Sequence, residues 1–314
     1  QKVSPFALHF KWFEPGLGPL DWWKKRVLPK ERKLRTYELE VAKDREFRAC
    51  VLREKVKARP FAVGACEAVL CGGYVPERPL PPGRYFWRVR EEKGPWSEVR
   101  SFEVVSPSFS PRPPSVVPTS EKPLFVFPFY TSSEEQAEKI VDFWRSIPEE
   151  IRGNCALHIG CPFKFRYACP PERFIPFLLR ALSLAEREKI PIFVNLSLSL
   201  SEYLLSRFSC VKGLLNCEVA RRWFNRPMRR RIIFGQIMLC AKYGRLFIWR
   251  EPYWGFDVWN YIAFNDPEGW RLIERYGRNI AILWKMNSHD LPLLYQSHLL
   301  GWWLCGVITA WGVS

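Results

Sequence analysis

The chain has 314 residues and a formal net charge of +16, and 47% of its residues are hydrophobic. This length predicts one small domain plus one large domain rather than a single domain. The basic charge suggests an anionic partner, but the lysines and arginines follow no zinc-finger, RNP-type or basic-heptad spacing, so no nucleic-acid partner is expected.

Residues 1–105 carry the pattern of short β-strands. Residues 36–42 and 84–90 alternate between apolar and polar side chains with period two, as expected for half-buried strands. Turns rich in Gly and Pro flank the second of these runs, and residues 100–104 follow as a closing strand. Several strands of this size fit into the segment, which predicts a β-sandwich.

The run LPPGRYFWRVREEKGPWSEVRSFEV at residues 80–104 resembles the last two strands of a bacterial fibronectin type III module. The resemblance implies a fibronectin III-like β-sandwich over residues 1–105, with Trp87 in its core and Trp96 covering a turn. Such modules are appended to secreted polysaccharide-degrading enzymes. An extracellular or cell-surface location is therefore expected, although the chain shows no signal peptide.

Residues 106–123 contain six prolines and five serines. A segment of this composition is extended and rarely enters a packed core, so it predicts a linker between two domains.

From residue 124 onward the pattern alternates between apolar strands and amphipathic helices. Strand followed by helix, repeated in order, predicts parallel strands with helical crossovers. We expect a (β/α)8-type (TIM) barrel over residues 124–314, incomplete at the C-terminus because only seven strands are found. An open doubly wound sheet is the alternative, although no glycine-rich phosphate-binding motif follows a strand. The predicted strands lie at 124–130, 155–163, 190–198, 211–219, 245–249, 280–284 and 307–311.

Acidic residues follow the fourth and fifth predicted strands, where a barrel of this kind forms its active site. Glycosidic cleavage needs a protonated carboxyl at the leaving oxygen and an ionised carboxylate for water or for the anomeric carbon. Glu218 is the predicted general acid, because the neighbouring Leu214 and Leu215 would disfavour its ionised form. Glu251 is the first candidate for the base and Asp257 the second.

Each of these carboxylates also has a structural interpretation. Asp290, the third candidate for the base, directly precedes an apolar helical run and is expected as an N-cap. Glu218 could instead form an ion pair with Arg221 or Arg222. Glu251 could instead form an ion pair with Arg250 or Lys285.

Aromatic and polar side chains at the strand ends are the predicted sugar-binding residues. An indole face packs against the C–H face of a sugar, and its N–H can bond a hydroxyl; packing inside the barrel is the alternative for the tryptophans. The predicted set is Asn195, Trp249, Tyr253, Trp254, Trp284, Lys285, Asn287 and Trp311.

Histidine and cysteine patterns indicate neither a metal nor a cofactor. The ten cysteines include no CxxC pair, and His158 and His289 lack further ligands at useful spacing. Disulfides between Cys66 and Cys71, or between Cys161 and Cys169, remain open. No run of 18 uncharged apolar residues occurs, so no membrane span is expected, and the protein is expected to be a monomer.

The runs YGRLFIWREPYW, ILWKMN and LLGWWLCGVITAWGVS, together with VKGLLNCE, are similar to glycoside hydrolase family 98 over residues 124–314. The family resemblance implies a (β/α)8 catalytic domain and an inverting, endo-acting enzyme on β-linked galactosidic or xylan-type chains. It supports Glu218 as the acid and matches one base partner to Glu251 or Asp257, while a further carboxylate would lie around or beyond the chain end. A non-catalytic carbohydrate-binding or surface-adhesion protein with a degenerate barrel is the alternative.

Overall fold

The computed structural model describes residues 2–3, 8, 10–13, 36–57, 61–62, 68–69, 71–74, 76, 80–105, 109–131, 133–160, 171–194, 198–217, 227–252, 256–285 and 296–313. The chain divides into two compact units. The first comprises residues 1–63 and 67–108, and the second comprises residues 64–66 and 109–314.

The first unit is built of β-strands. In the part of the chain that the structure describes these are β1 (Lys2–Val3), β2 (Phe10–Phe13), β3 (Thr36–Ala42), β4 (Cys50–Lys57), β5 (Phe61–Ala62), β6 (Ala68–Val69), β7 (Cys71–Tyr74), β8 (Gly83–Glu91) and β9 (Arg100–Val104). Five of them form a sheet in the order β1-β9-β8-β3-β4, in which only the β1–β9 pair is parallel. Strands β2 and β7 form a separate antiparallel pair, as do β5 and β6.

Alternate residues of the central strands form the core of this unit. Leu39 and Val41 of β3 are buried with Tyr85 and Val89 of β8. Trp87 packs against the same cluster, which confirms its predicted core position. The period-two pattern of the sequence therefore corresponds to one buried face.

The opposite face of the same sheet carries arginines stacked on aromatic rings. The Arg88 guanidinium lies 4.0 Å from the ring centroid of Phe47 and 4.2 Å from that of Trp96. Arg90 lies 4.3 Å from the Trp96 centroid, and the nearly buried Glu40 accepts a hydrogen bond of 2.7 Å from Arg88. Trp96 therefore covers this face of the sheet through cation–π contacts, whereas the sequence predicted that it covers a turn.

The second unit contains seven parallel strands in one sheet: β10 (Phe125–Tyr130), β11 (Cys155–Gly160), β12 (Ile192–Val194), β13 (Val211–Cys217), β14 (Leu246–Pro252), β15 (Ile280–Lys285) and β16 (Ala310–Val313). Their spatial order is their order in the sequence. A doubly wound sheet reverses its strand order at a switch point, and no reversal occurs among these strands. Crossovers of one hand then leave all the helices on one face, which is the winding of a (β/α) barrel.

The helices of the second unit are α1 (Glu134–Glu138), α2 (Ile140–Ser146), α3 (Glu149–Arg152), α4 (Pro171–Arg187), α5 (Leu198–Arg207), α6 (Pro227–Tyr243), α7 (Phe256–Asn265), α8 (Pro267–Tyr276) and α9 (Gln296–Leu304). The Ser133 hydroxyl caps α1 by accepting from the backbone N–H of Gln136 at 3.2 Å. Helices α1 and α2 are separated at Lys139.

Several elements differ from the sequence-based expectation, and strand β16 begins at Ala310 rather than at residue 307. Helix α7 was not predicted, because the residues of Phe256–Asn265 are largely aromatic and β-branched types that favour strands. Strand β14 runs to Pro252 rather than ending at residue 249, so residues expected in a loop belong to the sheet.

Part of the proline-rich segment packs within the second unit. The backbone N–H of Arg112 donates to the carbonyl of Ala241 at 2.9 Å, and that of Ser115 donates to Gly244 at 3.0 Å. The Asn279 side-chain amide donates to the carbonyls of Arg112 and Arg245, each at 2.9 Å. These contacts fasten the segment beside the amino ends of β14 and β15.

The cysteines that the structure describes with their side chains are free thiols: Cys50, Cys155, Cys210, Cys240 and Cys305. Both of the open disulfide pairs involve residues outside this set. Among the described helices none is long and apolar enough to cross a membrane.

Candidate active site

The parallel sheet has two faces that differ in what covers them. On the helix face, the Phe129 ring packs on Phe143 of α2 at 5.5 Å between centroids, and the Asn216 amide donates to Gln236 Oε1 of α6 at 2.7 Å. On the opposite face, here called the inner face, alternate residues of six strands form one buried cluster: Ala156, Phe193, Leu215, Leu246, Ile248, Ala281 and Ala310.

The inner face is closely packed at its centre. Gly213 lies where the Phe193 ring crosses the sheet, and a Cβ atom at Gly213 would stand 2.6 Å from that ring and 1.9 Å from the carbonyl oxygen of Leu246. Only glycine fits there. The described centre of this face therefore has no room for a ligand. A ligand can bind only toward the carboxyl ends of the strands, where barrel enzymes have their active sites.

Trp249 and Glu251 lie together on the helix face of β14. The Trp249 indole N–H donates to Glu251 Oε1 at 2.9 Å, and its ring meets Trp259 of α7 edge-on at 6.1 Å. Both residues have 0% of their surface exposed. A sugar cannot stack on an enclosed indole, so the prediction that Trp249 binds substrate is corrected: its observed contacts pack α7 on the sheet and hold a carboxylate.

The burial of Glu251 bears on the choice of a general base. A base must reach the water molecule from which it takes a proton, and this carboxylate is fully buried and accepts a hydrogen bond from Trp249. Its role as the base stays a prediction. Strand alternation also places the Arg250 side chain on the other face of β14, away from Glu251. The alternative in which Arg250 neutralises Glu251 is therefore not observed among the described contacts.

Near the carboxyl end, the inner face carries three polar side chains that the sequence analysis did not bring together. Tyr130 ends β10 and is 50% exposed; it shares the inner face with Val126, four residues earlier. His158 of β11 lies two residues after the inner-face Ala156, and Arg250 of β14 lies two residues after the inner-face Ile248. Because side chains alternate between the two faces of a strand, both residues are on the inner face. The period-two rule, applied through the true end of β14, is the signal that could have found Arg250.

His158 and Arg250 interact electrostatically. Burial, with a smaller contribution from the positive charge of Arg250, lowers the pKa of His158 to about 4. The imidazole is therefore neutral at pH 7. Arg250 Nε and His158 Nε2 are buried and have no hydrogen-bond partner within the described part of the molecule.

The structure describes the other predicted site residues only in part. Trp311 of β16 is 40% exposed and follows the inner-face Ala310, so it lies on the opposite face. Trp284 and Lys285 pair through their backbones with Glu251 and Pro252, and Asp257 is the second residue of α7; the side chains of these three are not described. Outside the described residues lie Asn195, Glu218, Tyr253, Trp254, Asn287, His289 and Asp290.

Glu218 is located only by its place in the sequence relative to β13. It directly follows Cys217, the last residue of β13. Leu214 and Leu215, the apolar neighbours expected to disfavour its ionised form, are buried. No group of three or more potential metal-ligating side chains occurs among the residues with described positions.

The chain matches the family model described as Glycosyl hydrolase family 98 over residues 117–314. It is also similar to solved structures of the catalytic module of a family 98 glycoside hydrolase from Streptococcus pneumoniae TIGR4. The module in complex with the H-disaccharide blood group antigen gives 21% identity and a TM-score of 0.52, covering 65% of this chain and 39% of that chain. The native module gives 22% identity at the same TM-score and the same coverage.

A third structure, the module in complex with the LewisY pentasaccharide blood group antigen, gives 21% identity and a TM-score of 0.51 over 64% of this chain and 38% of that one. The chain thus spans about two-fifths of the length of these solved modules. At this identity the similarity establishes the fold, a partial barrel of parallel strands. No curated protein sequence matches the chain.

Proposed function

This chain belongs to glycosyl hydrolase family 98, and from that premise we propose that it hydrolyses glycosidic bonds in a polysaccharide or glycan chain. The observation that carries the proposal is the family match over residues 117–314, the part of the chain that forms the parallel sheet. Endo-acting, inverting cleavage of β-linked galactosidic or xylan-type chains is the reaction that we propose.

The proposed mechanism uses one carboxylic acid and one carboxylate. Glu218, directly after β13, donates a proton to the leaving glycosidic oxygen. A carboxylate on the opposite side of the sugar deprotonates the attacking water, which inverts the anomeric centre when the two carboxyl groups stand roughly 6.5–9.5 Å apart. Asp257 is favoured over Glu251 for this base, because the Glu251 carboxylate is enclosed and accepts a bond from Trp249.

Sugar binding is proposed at the carboxyl edge of the sheet. The half-exposed Tyr130 offers an aromatic ring on the inner face, where a pyranose can pack against it. The remaining candidates, Asn195, Tyr253, Trp254, Trp284, Lys285, Asn287 and Trp311, stay predictions of this proposal.

The first unit is proposed to be a fibronectin III-like module. The Tyr85 hydroxyl donates to the carbonyl of Pro81, four residues upstream, at 2.8 Å, which is the tyrosine-corner contact of such sandwiches. The order β9-β8-β3-β4 corresponds to strands G, F, C and C′ of an immunoglobulin-like fold. A module of this kind supports an extracellular or cell-surface setting for the enzyme.

The test is a product screen of the wild-type chain on xylan, β-galactan and blood-group oligosaccharides, with Glu218→Gln as the variant. Loss of the general acid should lower the rate by more than about a hundredfold. Glu274→Gln is the matched control, since Glu274 is exposed on α8. A Glu218→Gln variant as active as wild type would refute the assigned acid, and products cut only from chain ends would refute endo action.

A non-catalytic carbohydrate-binding protein is the second candidate. It is favoured by the enclosure of Trp249 and Glu251, two residues expected at the mouth. The same panel separates the two functions: a binding protein retains oligosaccharides on an affinity gel without releasing new reducing ends, whereas the hydrolase releases them.

A further inference from the structure

We propose that the inner face of the parallel sheet holds an anion-binding site at Arg250 and His158, which takes a sulfate or carboxylate group carried by the glycan. The inference rests on the proposed function and names the substrate class: an acidic rather than a neutral glycan. Tyr130, at the rim of the same face, would pack against the sugar that carries the anion.

The two side chains lie on the same face of the sheet, near its carboxyl edge. Strands β11 and β14 place His158 and Arg250 on the inner face, two residues beyond Ala156 and Ile248 of the buried cluster. Both residues lie in the carboxyl halves of their strands, and their side chains are close enough for the Arg250 charge to affect the imidazole. The sheet therefore directs both side chains toward the edge where a barrel binds its ligand.

Arg250 Nε and His158 Nε2 are both buried without a partner in the described part of the protein. Buried polar atoms of native proteins are nearly always bonded to protein, water or ligand, and the desolvation of an unpartnered one is costly. A ligand with several acceptor oxygens would satisfy the guanidinium and accept from the imidazole in its Nε2–H form.

The charge of the described inner-face side chains also favours an anion. The residues that strand alternation assigns to the inner face, as far as the structure describes them, include no Asp or Glu; they are Val126, Pro128, Tyr130, Ala156, His158, Phe193, Gly213, Leu215, Leu246, Ile248, Arg250, Ala281, Leu283, Ala310 and Gly312. His158 is neutral, so the Arg250 guanidinium supplies a positive charge on this face. No described carboxylate of the same face neutralises that charge. An apolar wall strengthens the field of the guanidinium, and its planar fork fits carboxylate and sulfate oxygens in pairs.

The net charge of +16 acts in the same direction over longer distances. It would concentrate an acidic polymer near the chain. Surface attraction of that kind is screened by salt and has no preference for one arginine, whereas a built site depends on Arg250 in particular. This difference decides the design of the test.

The test compares three probes that share one disaccharide. Calorimetric titration of the wild-type chain at 150 mM salt would use N-acetyllactosamine, its 6′-sulfate and its 6′-sialyl derivative. Arg250→Gln removes the charge, and Arg250→Lys retains the charge but loses the planar fork. Arg187→Gln is the matched control, because it removes one positive charge from an exposed position of α4.

The expected result is that wild type binds at least one of the two anionic probes roughly tenfold to a hundredfold more tightly than the neutral one, as a charged hydrogen bond implies. The sulfated and sialylated arms show which anion the site takes. Arg250→Gln abolishes the preference, Arg250→Lys retains part of it, and Arg187→Gln retains all of it. If Arg250→Gln fails to fold, the Arg250→Lys comparison carries the test.

Three results would overturn the inference. Equal affinity for all probes, with hydrolysis of glycans intact, removes the anion site and leaves the proposed function standing. An equal loss of preference in Arg187→Gln assigns the effect to general surface charge. If no probe binds and no glycan of the panel is cleaved, the anion site and the proposed function fail together.

Discussion

The two faces of the parallel sheet follow different rules for their polar residues. On the helix face, two buried N–H donors have partners: the Asn216 amide donates to Gln236 and the Trp249 indole donates to Glu251. Asn216 Oδ1 is an acceptor of that face that has no partner among the described residues. On the inner face, Arg250 Nε and His158 Nε2 are buried without a partner among the described residues. Both patterns occur within one strand, since Trp249, Arg250 and Glu251 are consecutive residues of β14.

This contrast distinguishes the polar residues that stabilise the fold from those that are available to bind a ligand. A partnered polar group between sheet and helix fixes the position of the helix, and its loss leaves the other partner unsatisfied. An unpartnered group on a concave face adds little to folding but is ready to meet a ligand. Each face can be tested separately because one substitution changes one face.

The largest difference is expected between Trp249→Ala and Arg250→Gln. Trp249 is fully buried against Trp259 and bonds Glu251, so truncation should lower the free energy of unfolding by about 3–5 kcal/mol. Arg250→Gln should change it by less than about 1 kcal/mol. Urea denaturation followed by fluorescence and circular dichroism measures both. Similar losses in the two variants would contradict the division of roles.

The second largest effect is expected in the dependence of the free energy of unfolding on pH. His158 has a pKa of about 4 in the folded chain and about 6.5 when unfolded, so the unfolded chain binds more protons between these values. Stability should therefore fall as the pH drops from about 6.5 to 4, by at most about 3 kcal/mol from this residue. Denaturation midpoints across this range measure the slope.

His158→Gln is the variant that isolates this contribution. It removes the imidazole and should flatten the slope, while the other three histidines contribute equally to both proteins. An unchanged slope would mean that His158 titrates normally and is more hydrated than its burial indicates.

The strands of the second unit could be predicted because they are buried on both faces. Residues 155–160 and 280–285 are almost continuous apolar runs, the pattern of parallel strands in α/β proteins. Their order could be inferred as well, since each is followed by a helical pattern. The alternation of parallel strands and helices therefore followed from hydropathy, whereas the choice between a barrel and a doubly wound sheet did not.

The candidate site could be predicted less well, for two physical reasons. Residues 250–252 were assigned to a loop, so the alternation that separates Arg250 from Glu251 was never applied to them. Helix α7 was missed because its residues favour strands; its packing, with Trp259 against Trp249, is a tertiary contact that a single sequence does not display. Without that helix, Trp249 looked accessible to a sugar.

The smallest effect, and the sharpest comparison of the two faces, is a pair of double-mutant cycles. Replacing Asn216 and Gln236 by Ala, singly and together, should give a coupling of about 1 kcal/mol, because each single change leaves a buried amide without its partner at 2.7 Å. The same cycle with His158→Gln and Arg250→Gln at pH 7 should give a coupling near zero, because a neutral imidazole and a cation share only a weak interaction. A strong favourable coupling on the inner face would mean that these two side chains stabilise one another, and the distinction between a packing face and a binding face would then no longer hold.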